Sequence, residues 1–155
     1  MTTATANFKL FYSANEYIGD GTIDLDTDTF KIALCSATQA ITAGTAPFVD
    51  ALYADLTNEL ATANGYTTGG QTLTGVTWTH SANVATFDFD NPSWTASGGS
   101  IAAYYFVIYD DTAATKPLLG FGLLDTTPAT FTAIDGEPLI INIAATGLFT
   151  KTVPA

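Results

Sequence analysis

The stretch Ile101-Ala102-Ala103-Tyr104-Tyr105-Phe106-Val107-Ile108-Tyr109 decides the fold. Successive strand side chains point to opposite faces, so Ile101, Ala103, Tyr105, Val107 and Tyr109 share one face and Ala102, Tyr104, Phe106 and Ile108 share the other. Neither face is polar, and such a strand has to be covered on both sides. Two arrangements do this: a central strand held between a sheet and a helix, or a strand with one face against another chain. Leu118-Leu119-Gly120-Phe121-Gly122-Leu123-Leu124 and Leu139-Ile140-Ile141-Asn142-Ile143 have the same two-sided character. One helix cannot cover three such strands in a chain of 155 residues, so self-association is expected. Tyr104, Tyr105, Tyr109 and Trp94 are the candidates for a subunit or partner contact.

Working outward, short alternating runs are separated by Gly, Pro, Asn, Asp and Ser, the rhythm of an all-β domain. Strands are expected near 30–36, 72–79, 83–90, 101–109, 117–124, 129–134, 138–144 and 146–151, with turns at Ser81-Ala82-Asn83, Ser97-Gly98-Gly99-Ser100 and Asp135-Gly136-Glu137-Pro138. The expected fold is mainly β, an antiparallel β-sandwich or jelly-roll-like domain spanning 8–155. The Thr/Ala-rich segment 1–7 reads as a flexible N-terminal arm. One segment breaks the rhythm: Phe48, Leu52, Leu56 and Leu60 recur at i, i+4 after Thr45 and Pro47, which predicts an α-helix over about 46–62 packed on the sheet. A weaker helical piece is expected over Ser13 to Ile18, closed by Gly19-Asp20-Gly21.

Composition narrows the function. Fifteen acids against four lysines and no arginine give a net charge of −11, yet charged residues make up only 12% of the chain, about half the usual share of roughly 25%. The 47% hydrophobic content marks a packed domain and not an acidic tail. Lys9, Lys31, Lys116 and Lys151 are scattered singly, so neither nucleic acid nor an anionic membrane is an expected partner. No secretion signal or membrane-spanning run is visible, and a lone Cys35 in Phe30-Lys31-Ile32-Ala33-Leu34-Cys35 fits a reducing cytoplasm. The 28 threonines keep exposed strand faces polar without ionic groups.

Catalytic constellations are missing from the sequence. His80 is the one histidine, at a strand end entering a turn, and no G-x-S-x-G, H-E-x-x-H, P-loop or C-x-x-C occurs. Neither an enzyme nor a cofactor is expected. Asp24, Asp26 and Asp28 resemble part of a calcium loop, but Ala33, Leu34 and Cys35 stand where a closing Glu belongs. They read as the solvated face of an extended segment, with a weak cation site as the alternative. Asp88 and Asp90 read as outward carboxylates between inward Phe87 and Phe89; an acid/base hydrolase built on two aspartates is the least favoured reading. Trp78 and Trp94 read as core residues, with a sugar-binding platform as the competing use.

Four stretches carry a family resemblance: Gly21-Thr22-Ile23-Asp24-Leu25-Asp26-Thr27-Asp28-Thr29-Phe30-Lys31-Ile32-Ala33-Leu34; Tyr53-Ala54-Asp55-Leu56-Thr57-Asn58-Glu59-Leu60; Gly65-Tyr66-Thr67-Thr68-Gly69-Gly70-Gln71-Thr72-Leu73; and Trp94-Thr95-Ala96-Ser97-Gly98-Gly99-Ser100-Ile101 through Asp111. In order and spacing, from about Phe8 to Lys151, the chain resembles a family of small structural proteins of tailed bacteriophages. The resemblance implies a non-enzymatic virion component assembled in the host cytoplasm. A capsid decoration or cement protein on the outer head surface comes first, with copies of itself and the major capsid protein as partners. A neck- or tail-associated protein, including a host-glycan-binding module, is the alternative. No binding residue carries over from the family, and the glycines of Gly65-Tyr66-Thr67-Thr68-Gly69-Gly70-Gln71 read as turn-formers.

Overall fold

The computed structural model describes residues 2–5, 7–125 and 127–154, with side chains described from Asn7 onward. The protein is mainly β, with antiparallel sheets and one helix in a sandwich-like arrangement. The main sheet has five strands in the order β2 (Asn7–Leu10), β10 (Leu118–Leu123), β9 (Tyr105–Asp110), β3 (Phe30–Cys35) and β4 (Gln71–Thr72). Beside it lie β1 (Thr2–Thr5), β12 (Pro138–Asn142) and β7 (Ser93–Thr95) in one three-stranded sheet, and β13 (Phe149–Thr152), β6 (Val84–Asp88) and β5 (Thr77–Ser81) in another. A ribbon of β8 (Ile101–Ala103) and β11 (Phe131–Ala133) completes the set.

Cross-strand register explains why the central strands are apolar on both sides. Leu34, Phe106, Gly122 and Phe8 form one row, and their face meets the second layer: Phe8 stacks on Phe149 at 5.8 Å, and Phe30 meets Phe87 edge-on at 5.3 Å. Gly122 sits in this row because a Cβ there would stand 2.3 Å from the Phe106 ring. The opposite face carries Ala33, Cys35, Tyr105, Val107, Tyr109, Phe121 and Lys9. Over it lie the helix and an irregular segment: Phe11 packs on Phe121 and Phe48, and Tyr53 packs on Tyr109 at 4.5 Å. The central strand is therefore sandwiched within one chain, the first of the two expected arrangements, except at one corner.

Three expectations change. The helix is α1 (Tyr12–Asp20), stopped by Gly21 at φ 81°, where only a weak helical piece was expected. The helix predicted over 46–62 is absent: turns run through 46–49, and Tyr53–Asp55 is a single 3-10 turn. The backbone there is already committed to strands, since Leu118 N–H bonds Ala51 C=O, Tyr53 N–H bonds Lys116 C=O, and Leu60 N–H bonds Leu34 C=O. Phe48 lies in the core and Leu56 and Leu60 pack against it, which is what the i, i+4 spacing detected. The strand expected over 101–109 is two strands, because the chain bends at Tyr104 and passes from the β8–β11 ribbon into the main sheet. Within the segment 1–7, Thr2–Thr5 form β1, which runs parallel to β12, and Asn7 opens β2; Met1 and Ala6 lie outside the described residues.

Candidate functional site: an aromatic groove on the main sheet

The uncovered corner lies on the face that α1 and the 41–60 segment otherwise shield. Asn7, Leu123 and Tyr105 form one cross-strand row, and Lys9 and Phe121 are directly opposed in the next. Ile41, Thr42 and Ala43 form one wall, and Tyr104 and Pro128 another, enclosing a groove of about 390 Å³. The bend at Tyr104 is what brings two consecutive tyrosines to the same place, their rings edge-on at 4.7 Å. Both are half-buried, and Tyr105 also meets Phe121 at 6.3 Å. The groove is apolar at its floor, bears hydroxyls and one ammonium at its rim, and has no carboxylate among its described lining residues.

Of the four contact candidates, Tyr104 and Tyr105 line this groove, while Tyr109 and Trp94 are 1% and 7% exposed. Tyr109 donates its hydroxyl to Gly69 C=O at 2.8 Å, under Tyr53, and Trp94 packs beside Tyr66 within the core. Tyr109 and Trp94 are therefore core residues: the coverage that makes the central strand a core strand also removes them from any surface. A glycan platform on Trp94 loses its exposed indole. Asn7 and Lys9 are groove residues that the sequence did not single out, because a four-residue edge strand next to the arm carries too short an alternation to stand out.

A second constellation also went unread in the sequence. Glu59 accepts hydrogen bonds from Tyr66 Oη at 2.7 Å and from Gly69 N–H at 2.6 Å through Oε1, and from Tyr53 Oη through Oε2. Tyr66 Oη in turn accepts Leu34 N–H at 3.0 Å. Burial, reinforced by the bonded Glu59 carboxylate, pushes the Tyr53 hydroxyl up, and burial does the same for Tyr66. Burial likewise pushes up the Cys35 thiol, which is fully buried beside Glu59 and so is not a nucleophile at neutral pH. Gly70 follows at φ 69°, where a Cβ would stand 1.9 Å from Ile32 C=O. The Tyr66 to Gly70 stretch is therefore a structural latch around a carboxylate, with the glycines placed for close approach.

The acids just before β3 do not assemble a cation site. The segment from Asp24 to Asp28 is a turn and not the extended run expected: Asp28 N–H bonds Asp24 C=O at 3.0 Å, Asp24 Oδ1 accepts Asp26 N–H, and Asp28 Oδ2 accepts Asp24 N–H. Aspartate side chains that bond their own backbone favour turns over strands. Among the described residues no group of three or more His, Cys, Asp or Glu side chains is placed to hold a metal ion. Nor is any described helix long and apolar enough to cross a membrane. His80 lies exposed on β5, and Asp88 and Asp90 flank buried Phe89 on the outward side, as read. Neither a family model, a curated protein nor a solved structure matches the chain.

Proposed function

We propose that this protein is a non-enzymatic structural component of a tailed-bacteriophage virion, a decoration or cement protein that fastens to the outside of the head shell. The Tyr104–Tyr105 groove carries the reading. It is an aromatic concavity with no carboxylate among its described lining residues, on the sheet face that α1 and the 41–60 segment otherwise shield along the central strand, and aromatic side chains with a polar tip suit a contact that is wet before assembly and buried after it. Its partner in this reading is the major capsid protein, with neighbouring copies of the chain alongside. A shell offers many equivalent sites, so individually weak contacts accumulate, and each bound copy stabilises the assembled lattice by mass action. The family resemblance supports the same assignment, and the acidic surface suits a position away from the packaged genome.

Purified protein added to heads that lack it is expected to sediment with them and to raise the temperature at which they rupture. Tyr105→Ala should weaken that binding while leaving the isolated protein folded. Density at the neck or tail with none on the head would replace this reading with the tail-associated one.

A further inference from the structure

The strand β5 presents an edge that no other described strand covers. Its backbone register is readable from its neighbour. Val153 N–H bonds Asn83 C=O on the far side of β6, which directs Asn83, Ala85 and Phe87 toward β13 and leaves Val84, Thr86 and Asp88 to bond Ser81, Thr79 and Thr77. The N–H and C=O groups of Trp78 and His80 therefore point out of the sheet, and neither residue has a backbone hydrogen bond to another element. Open edges are usually guarded by a charge, a proline or extreme shortness. Among the described edges of the antiparallel sheets, β2 has Lys9, β13 has Lys151, β4 is two residues long and β8 and β11 are three each, whereas the five-residue Thr77-Trp78-Thr79-His80-Ser81 has no guard.

We infer that the outer edge of β5 pairs antiparallel with β5 of a second copy of this chain, about a two-fold axis through Thr79. The sequence is self-complementary in that register: Trp78 faces His80 of the second copy and exchanges both backbone hydrogen bonds with it, twice over, so all four open donors and acceptors are satisfied. A chain of net charge −11 resists its own approach, and these five residues carry no carboxylate, so the like-charge penalty is low where the strands would meet. Two acids lie close to the strand: Asp88, across from Thr77, and Asp24, which lines a pocket with Trp78. A five-residue edge falls short of the roughly 1,200–2,000 Å² of a stable interface, so the pairing is weak in solution and gains strength when copies are already side by side. This rests on the self-association in the proposed function and names the surface that performs it.

In the paired state Thr79 faces its own counterpart at a Cα separation of about 4.5 Å, within the range a disulfide needs. Thr77 faces Ser81, so two copies of residue 77 lie about 13 Å apart along the strands. The test compares Thr79→Cys with Thr77→Cys under mild oxidation, with light scattering on the unmodified protein at matched concentration; buried Cys35 does not compete. Thr79→Cys is expected to cross-link and Thr77→Cys to stay monomeric. Adding His80→Pro, which removes only an outward N–H, should slow cross-linking roughly tenfold or more; Thr79→Lys, a surface change, should lower the scattering mass. Equal cross-linking at 77 and 79, or none at either while scattering shows oligomers, overturns the β5 pairing and leaves self-association standing through another surface. A protein that neither cross-links nor scatters above its monomer mass of 16.2 kDa overturns both.

Discussion

At the scale of single residues, Glu59 has more structural consequence than any acid the sequence brought forward. Three donors from Tyr53, Tyr66 and Gly69 converge on one carboxylate, and removing it strands them in a site too covered for water to replace it fully. Glu59→Ala is expected to cost about 2–4 kcal/mol of unfolding free energy, and Tyr66→Phe about 1 kcal/mol, both measurable by denaturant titration. Asp110 makes the opposite case. Its Oδ1 accepts Thr112 N–H at 2.7 Å, while the buried Oδ2 finds no donor and the Asp28 carboxylate faces it. Burial raises its pKa first and Asp28 raises it further, so the folded protein holds this proton more tightly than the unfolded chain does. Its contribution to stability is full below the ordinary carboxylate pKa and is lost as pH rises through the raised value. Asp110→Asn, which supplies a permanent donor toward Asp28, should therefore raise Tm at pH 7 and change it little at low pH. The adjacent Asp111 shifts the other way, lowered by its bond to Lys116 and by Lys31 at 3.5 Å; that stability is present at neutral pH and fades on acidification, reduced by solvent screening. None of these pairings was legible in the sequence: the Glu59 donors lie six, seven and ten residues away in irregular backbone that has no fixed period to read, and Asp28 and Lys31 reach Asp110 and Asp111 from far along the chain.

At the scale of elements, the strands were largely legible and the helix was not. Period-two alternation located β3, β6, β9, β10, β12 and β13 to within a few residues, since a half-buried strand must alternate whatever its partners. It missed β2 and β7, which are too short to show a period. The i, i+4 run from Phe48 to Leu60 failed for a different reason. Inward-facing residues can recur every fourth position in an irregular segment too, and here bonds to Leu34, Lys116 and Leu118 took the backbone groups a helix would need. The groove was half legible: the doubled tyrosine was visible, while the bend that turns both rings to one side, and the β2 residues beneath them, depend on tertiary structure. Glycine placement within β10 can be tested directly. Gly122→Ala drives a Cβ into the Phe106 ring, which is held between Phe8 and the sheet, and should cost about 1–3 kcal/mol or more in thermal unfolding. Tyr105→Ala, at the open corner of the opposite face, should cost far less, and that contrast separates the fully covered face from the partly exposed one.

For the molecule as a whole, the balance of few charges with a strongly negative total predicts a salt dependence. Copies repel at low ionic strength, and raising salt from about 0.01 M to about 0.15 M shortens the screening length from roughly 30 Å to 8 Å. Self-association followed by sedimentation should therefore strengthen with salt, the reverse of what an interface built on ion pairs would show. The order in which the main sheet is wired has a temporal consequence as well. Within that sheet β2 pairs only with β10, and β3 finds its long partner only in β9, so strands from the first part of the chain wait for strands from the last third. A ribosome releasing this protein exposes β3, with its buried Phe30, Ile32 and Leu34, well before anything exists to cover it. The main sheet then closes only once β9 and β10 have emerged, in the slow regime set by non-local pairing. The yield of folded protein is accordingly a race between that closure and aggregation of the early strands.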